Sequence, residues 1–184
     1  TLGYYSGTFP ATAWVSDGSR SAGVTFVVTA RPGNPVRLAI AVVDSQVGAV
    51  NEALVWPHVV SVRDDQGNGV DGVAITWQVV DGGGSLSNVQ SATVTQAPDD
   101  ESWPMPGIAM AWHTLGLAEG RNRVMATAPG LPGAPQVTFT SQAVTALVRN
   151  SYRGPENYAF EPVNVTVAAG KTVGWWSTDY FLGG

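Results

Sequence analysis

Apolar and polar residues alternate along much of this chain with a period of two, the pattern of a β-strand that buries one face. The clearest run extends from Val73 to Val80 and places its largest side chains, Ile75 and Trp77, on the same face. It ends in the turn Asp81–Gly84, where three consecutive glycines allow the backbone to change direction. The segment is therefore predicted to be a strand that buries its tryptophan.

Further segments carry the same strand signals at short spacing, with turn-forming residues such as those at 64–69 between them. This spacing leaves no room for crossover helices, so we expect antiparallel sheets. The other predicted strands are Val36–Val43, His58–Arg63, Ala92–Thr95, Ile108–His113, Arg121–Ala128 and Gln136–Gln142. The residues expected to be mostly buried are Val60, Val62, Val73, Ile75, Trp77, Val79, Val124, Ala126, Val137 and Phe139.

Composition points to an all-β protein. Hydrophobic residues make up 44% of the 184 residues, enough for a core, whereas charged residues make up only 12%. A chain so poor in charge has little material for exposed helices, and its 22 glycines and 12 prolines supply turns instead.

Charge and cysteine content exclude several classes of function. The net charge is −5 and the nine basic residues are scattered, so the chain lacks the basic surface that nucleic-acid binding requires. The absence of cysteine excludes disulfides, thiol catalysis and cysteine-ligated metals. No apolar stretch approaches the roughly 18 residues of a membrane span.

The chain contains an internal repeat. Residues 1–30 align without a gap on residues 114–143, at an offset of 113, with nine identities. The identical pairs are Thr1 and Thr114, Leu2 and Leu115, Gly3 and Gly116, Gly7 and Gly120, Ala13 and Ala126, Val24 and Val137, Thr25 and Thr138, Phe26 and Phe139, and Ala30 and Ala143.

The repeat predicts the domain organisation. Residues 1–30 are expected to be the C-terminal part of a preceding repeat, residues 36–143 a complete domain, and residues 144–184 a β-rich C-terminal segment. The length of the central part suits an immunoglobulin-like sandwich of roughly 100 residues. Because the terminal pieces supply only two or three strands each, we expect a longer parent protein or neighbours that cover these ends.

Several motifs of the central part resemble, in the same order, the bacterial immunoglobulin-like domains of the invasin and intimin type. They are the VRDDQGNG strand and turn, the GVAITW strand, the GGGS turn, the TLG element, the NRVMAT strand and the closing VTF strand. The resemblance implies an all-β, Greek-key immunoglobulin-like sandwich flanked by partial β elements. It also implies an extracytoplasmic location, in the periplasm or at the cell surface, where such domains serve as spacers, stalks and adhesive modules.

The C-terminal part has a second, fainter resemblance. Residues 148–176, VRNSYRGPENYAFEPVNVTVAAGKTVGWW, are similar to the first strands of a cupredoxin-like domain. The copper ligands of that family are two histidines, a cysteine and usually a methionine, and the segment contains neither histidine nor cysteine. Copper binding is therefore not carried over to this chain, and an unrelated β hairpin remains the alternative.

Candidate catalytic and metal-binding residues are few. His58 and His113 are the chain's two histidines, and as single histidines near strand ends they are expected at the surface. Asp64, Asp65 and Asp71 flank one turn and residues 99–101 form a second acidic cluster, but neither has the spacing of a calcium loop. We therefore expect no enzyme activity, cofactor or metal, and read both clusters as solvated acidic turns.

Tryptophans mark the candidate interaction sites. Trp103 lies in a long loop stiffened by three prolines, which lowers the entropy that the loop loses on binding. Trp175 and Trp176 are adjacent in a strand, so they are expected to point to opposite faces. The predicted partner-binding residues are Asp99, Asp100, Trp103, Met105, Trp175 and Trp176.

The sequence leaves two functions open. The first is a non-catalytic structural or interaction module, that is, a spacer, adhesive or accessory subunit that contacts protein in a larger envelope or membrane-associated assembly, including a photosynthetic or respiratory complex. The second is a carbohydrate-binding module, in which exposed tryptophans stack on a polysaccharide. The low charge favours the first function, because isolated soluble domains normally carry more charge. Coplanar exposed aromatic rings would favour the second.

Overall fold

The computed structural model describes residues 5–42, 44–96, 105–152 and 158–176, and every regular element within these ranges is a β-strand. The fold is all-β, as the sequence predicts. The strands are β1 (Gly7–Ser16), β2 (Ser21–Ala30), β3 (Arg37–Ile40), β4 (Ser45–Ala49), β5 (His58–Arg63), β6 (Ala74–Asp81), β7 (Gly84–Leu86), β8 (Gln90–Ala92), β9 (Val94–Gln96), β10 (Met105–Ala111), β11 (His113–Leu115), β12 (Gly120–Thr127), β13 (Gln136–Val144), β14 (Ala146–Tyr152), β15 (Tyr158–Glu161) and β16 (Val173–Trp176).

Two sheets form an immunoglobulin-like Greek-key sandwich in the middle of the chain. One sheet has the strand order β3-β5-β10-β9 and the other β4-β13-β12-β6-β8. Their apolar faces meet in one core, which contains Leu38, Val60 and Val62 from the first sheet and Trp77 and Phe139 from the second. Alternation therefore places the apolar face of each strand against the other sheet.

The predicted core residues lie where the alternation places them. Seven are buried, namely Val60, Val62, Ile75, Trp77, Val124, Ala126 and Phe139. The other three, Val73, Val79 and Val137, are partly buried and pack against the same cluster. The indole Nε1 of Trp77 donates a hydrogen bond to Ser91 Oγ over 2.8 Å, so its polar atom is satisfied.

The expectation of wholly antiparallel sheets is wrong at one sandwich edge. β4 pairs in parallel with β13, from Ser45 opposite Thr140 to Ala49 opposite Val144. The chain leaves the first sheet after β3 and joins the second sheet as β4, beside the last strand of the sandwich. A parallel pair needs no crossover helix here, because the rest of the domain separates the two strands in sequence.

The sandwich has two distinct ends, which we call upper and lower. The upper end is defined by Arg37, which lies opposite Arg63, and by the turn that follows Arg63. The lower end is defined by Ala49 and Val144, and also by His113, whose carbonyl accepts a hydrogen bond from the loop that follows β4. The chain therefore enters the sandwich at its upper end and leaves it at its lower end.

Two smaller β elements flank the sandwich. Before it, β1 and β2 form an antiparallel hairpin in which ten residues of each strand are paired. After it, β14 lies between β15, to which it is antiparallel, and β16, to which it is parallel. No helix in the described ranges is long and apolar enough to cross a membrane.

Candidate interaction surfaces

The upper junction between the hairpin and the sandwich is organised by Asp64. Its buried carboxylate accepts hydrogen bonds from the backbone N–H groups of Gly33, Gln66 and Asn68 at 2.8–3.0 Å. The side-chain amide of Asn68 donates to the same carboxylate, and the Asn68 Oδ1 accepts the N–H of Ser6 over 2.8 Å. These donors, led by the Asn68 side chain, lower the pKa of Asp64 to about 2. Asp64 thus connects the linker, the turn and the hairpin base.

The lower junction is organised in the same way by Glu119. Its Oε1 accepts hydrogen bonds from the hydroxyl and the backbone N–H of Thr145, and from the N–H of Thr172 over 2.9 Å. The Lys171 ammonium lies 3.8 Å from Oε2. These contacts, led by the Thr145 hydroxyl, lower the pKa of Glu119. One carboxylate therefore connects the sandwich to the turn that precedes β16.

Sequence reasoning identified neither junction. The sequence predicts a solvated acidic turn at Asp64 and makes no prediction for Glu119. The available signal was Asp64 and Asn68 flanking a glycine turn, an arrangement in which the side chains often bond the local backbone. For Glu119 no local signal exists, because its partners lie 26 and 53 residues further along the chain.

The expectation that Asp64, Asp65 and Asp71 form a solvated turn is therefore wrong for Asp64, which is buried. Asp71 Oδ1 accepts the N–H of Gly107 and its Oδ2 accepts the Thr95 hydroxyl, at 2.7 and 2.6 Å. Hydrogen-bond donors thus occupy both Asp64 and Asp71. In the described part of the chain, no group of three or more histidine, aspartate or glutamate side chains converges as metal ligands would.

The β1–β2 hairpin has one wholly apolar face. Strand alternation places nine side chains on it, namely Phe9, Ala11, Ala13, Val15, Ala22, Val24, Phe26, Val28 and Ala30. The large residues of this face are solvent-exposed, Val24 by 62% and Phe26 by 50%. On the opposite face, Thr12 and Thr25 share a hydrogen bond, and the ring of Trp14 lies over Gly23. The hairpin therefore presents apolar surface that nothing in the described chain covers.

The C-terminal sheet has a second exposed apolar face. Trp175 is 66% exposed and meets Phe160 edge to face, with ring centroids 5.8 Å apart. Together with Val148, Pro162 and Val163 they line an open groove of about 500 Å³. Trp176 points the other way and packs against the buried cluster that includes Val144 and Leu147. The expectation that the two tryptophans face opposite sides is confirmed.

Among the remaining predicted contact residues, the structure describes Met105, which lies near the upper end. Met105 begins β10 and is 44% exposed. It is followed by Pro106, whose backbone closely approaches Gly69. Asp99, Asp100 and Trp103 lie outside the described residues. The structure thus separates Met105 from Trp175 and Trp176, which belong to the sheet beyond the lower end, and contact of any of these residues with a partner stays a prediction.

Both histidines are buried, contrary to the expectation that they lie at the surface. His58 and His113 are each 1% exposed, and their ring centroids are 5.6 Å apart. Burial, with a smaller contribution from His113, lowers the pKa of His58 to about 4, and burial also lowers the pKa of His113. The ring of His58 packs on the ring of Phe139, with centroids 4.6 Å apart. His58 is therefore a core side chain of the lower end. The alternation that places Val60 and Val62 on the core face of β5 also places His58 there, and this was the available signal.

Comparisons with known proteins give structural likeness only. No protein-family model and no curated protein matches the chain. Domains 4 and 5 of the S-layer protein SbsC match 73% of this chain and 58% of that chain, with 15% identity and a TM-score of 0.40. The D00–D0 domains of intimin match 73% and 64%, with 15% identity and a TM-score of 0.38. A β-glucuronidase of Parabacteroides merdae matches 73% and 16%, with 14% identity and a TM-score of 0.38.

The chain spans less than two thirds of each of these three structures. At such low scores the matches carry no argument about what the chain does. The assignment of fold rests instead on the two sheets, their strand order and their shared core. These features make the central part an immunoglobulin-like β-sandwich, the fold that its resemblance to invasin and intimin repeats implies.

Proposed function

We propose that the chain is a non-catalytic spacer module of an extracytoplasmic protein, which holds neighbouring β elements in fixed positions at its two ends. The observation that supports this most is the pair of carboxylate junctions. Asp64 ties the preceding hairpin to the upper end, and Glu119 ties the following sheet to the lower end. A domain that is fixed to its neighbours at opposite ends extends the protein along one direction.

The exposed apolar faces support contact with other protein. The hairpin face and the Phe160–Trp175 groove are contiguous apolar patches. Single exposed apolar residues are normal on a protein surface, whereas contiguous patches mark interaction sites. We place the contacts of this module with a larger envelope or membrane-associated assembly at these faces and at Met105.

The observations favour this function over carbohydrate binding. Sugar rings stack on flat aromatic platforms with polar groups beside them, whereas the Phe160 and Trp175 rings are perpendicular, with an interplanar angle of 86°. The residues around them are valines and a proline, which offer no side-chain hydrogen bond to a sugar hydroxyl. This groove therefore has the character of a sheet face that packs against another protein layer.

Distances between spin labels would test the junctions. Because the chain contains no cysteine, a label attaches only at a cysteine introduced by substitution. One pair, Ser19→Cys with Gln78→Cys, spans the upper junction; the other, Gln78→Cys with Asn164→Cys, spans the lower. All three positions are exposed. We expect a narrow distance distribution for each pair in the otherwise unchanged chain.

The junction variants have built-in controls. Asp64→Ala should broaden only the upper distance and Glu119→Ala only the lower one, whereas Asp65→Ala, which removes the exposed neighbouring carboxylate, should change neither. Distributions that are already broad before any carboxylate is removed would contradict the proposal. So would a carboxylate variant that leaves its own distance narrow.

A further inference from the structure

A layer of buried polar side chains interrupts the interior of the sandwich near its lower end. Above it lies the main apolar core, which includes Val124 and Phe139. Below it lies a smaller apolar cluster, which includes Leu115 and Ala143. The polar layer consists of four side chains that are each at most 3% exposed, namely His58, His113, Asn122 and Ser141.

Strand alternation places the polar layer at one height between the two sheets. On β13, Ser141 stands two residues from Phe139 of the main core and two residues from Ala143 of the smaller cluster. Asn122 lies directly opposite Ser141 on β12. His58 begins β5 in the other sheet and packs on Phe139. Both sheets therefore contribute to the layer, which crosses the interface between them.

Two members of the layer present an acceptor atom that no protein donor reaches. Nε2 of His113 lies 3.2 Å from the Gly83 carbonyl oxygen, and because a carbonyl oxygen only accepts, Nε2 carries the hydrogen. Nδ1 of the neutral ring is then a bare lone pair, buried and without a partner within the described ranges. The amide of Asn122 donates to the Gly120 carbonyl, which leaves its buried Oδ1 as a second acceptor of the same kind.

His58 adds both a donor and an acceptor. The neutral ring has one N–H and one lone pair, and neither nitrogen is hydrogen-bonded to the part of the chain that the structure describes. Its centroid lies 5.6 Å from that of His113, and each ring is held by another contact, His58 by Phe139 and His113 by Gly83. The layer thus offers three buried acceptors and one donor to an occupant that can both donate and accept.

We propose that the polar layer is a binding site for internal water, in which a water molecule bridges His58 and His113. The water donates to Nδ1 of His113 and accepts the N–H of His58, through hydrogen bonds of about 2.9 Å each. Asn122 Oδ1 lies against the same glycine turn as His113 and takes the second hydrogen, directly or through a further water. A buried water with several polar partners is a fixed part of a fold.

Other occupants fit the layer less well. Its four side chains are neutral and include no carboxylate, so a divalent cation would bring uncompensated positive charge into the core. An apolar guest would leave all three acceptors without a donor. Water is neutral and supplies two hydrogens and two lone pairs. Because it joins side chains of opposite sheets, it also fixes how the sheets align at the lower end, and this inference does not depend on the spacer function.

Nuclear magnetic resonance of the unchanged 184-residue chain tests the site without any variant. At pH 7, isotope-labelled histidine should show His113 with its hydrogen on Nε2. The ring protons of both His58 and His113 should show cross-relaxation with a water that stays bound for longer than the protein tumbles. Magnetic relaxation dispersion of the water oxygen nucleus would count such long-lived waters.

A matched pair of variants assigns the long-lived water to this site. The double variant His58→Leu with His113→Leu removes the ring nitrogens but keeps apolar bulk, so it should lose at least one long-lived water. Ile75→Val removes a methyl group from the main core, where the resulting cavity is apolar and stays dry, so the count should not change.

Several results would overturn the inference. One is a chain in which neither histidine ring contacts a long-lived water, and another is a double variant that retains the full count. A through-bond coupling that reveals a direct N–H···N bond between His58 and His113 would replace the water by the rings themselves. Stoichiometric binding of added Zn²⁺ that shifts both ring signals would replace it by a cation.

Discussion

At the scale of single residues, the buried histidines are the least expected feature of the sandwich. Both nitrogens of His58 and Nδ1 of His113 lack a hydrogen-bond partner among the described residues, and His113 Nε2 lies 3.2 Å from the Gly83 carbonyl oxygen. Protonation would place a charge in a core beside Phe139, where burial opposes it. The neutral form is therefore the one that the folded protein accommodates, and stability must depend on pH.

We expect the sandwich to lose stability as the pH falls below about 6.5. The unfolded His58 binds a proton near 6.5, while the folded one does so only near 4, so the contribution is fully present above 6.5 and is lost between these values. The shift corresponds to a loss of about 3 kcal/mol for His58. Denaturant unfolding at pH 7 and pH 4.5 would measure it.

The matched variant is His58→Leu, which should unfold with nearly the same free energy at pH 7 but lose much less of it at pH 4.5. His113→Leu should likewise reduce the loss of unfolding free energy between pH 7 and pH 4.5. The pKa values of Asp17, Asp64 and Glu119 are lowered, so the stability that these carboxylates contribute is lost mainly below their ordinary pKa values, at the acid end of this window. If a variant lacking both histidines shows the original loss between pH 7 and 4.5, the histidines are not its cause.

At the scale of elements, the Gly82–Gly84 turn explains how β6 leads into the short pairing of β7 with β11. Gly84 has a φ of 92° and lies directly opposite Leu115. A Cβ built on it would be 2.0 Å from the Thr114 carbonyl oxygen, a backbone atom that cannot easily move. Gly67 has nearly the same φ, 90°, but has no atom within 4 Å of its Cβ position.

These two glycines make a matched pair for one prediction. Gly67→Ala should cost about 1–2 kcal/mol, the penalty of the left-handed backbone alone. Gly84→Ala carries the same penalty and a steric one of about 1–3 kcal/mol more, so it should be clearly the less stable variant. Thermal and denaturant unfolding of both proteins would measure the difference. Equal losses would mean that β7 and β11 separate without cost.

The elements also show how far sequence reasoning reaches. Period-two alternation predicted the core side of β5, β6, β12 and β13, because each has one buried face and a side-chain period fixed by the backbone. It did not predict β4, whose residues Ser45–Ala49 contain a glutamine, a glycine and only one large apolar side chain. Nor did it predict the parallel edge or Glu119, since both depend on contacts between distant residues.

At the scale of the whole molecule, the two flanking elements differ in how they are attached. The C-terminal sheet shares buried residues with the sandwich, because Leu147 and Trp176 pack against Ala49 and Val144. The hairpin has no such shared cluster in the described chain, and a two-stranded hairpin is marginal in water. The two ends should therefore differ in stability even though both are held by carboxylates.

Hydrogen exchange of the 184-residue chain should reveal this difference. We expect the amides of β14 and β16 to be protected nearly as well as those of β12, and the amides of β1 and β2 to exchange much faster. Leu147→Ala should lower the protection of β14 and β16 selectively, since it removes a buried contact that the hairpin does not share. A hairpin as well protected as β12 in a monomer would contradict the prediction.

The parallel β4–β13 pair gives the sandwich a mechanical consequence when it is pulled from its two ends. Tension on the preceding chain draws β4 toward the upper end, and tension on the following chain draws β13 toward the lower end. The two strands then slide past each other, so the hydrogen bonds from Ser45–Thr140 to Ala49–Val144 are loaded together rather than opened one after another. Stretching single molecules should therefore reveal one high rupture force. A module of this kind would resist mechanical load through backbone geometry alone, with no covalent cross-link.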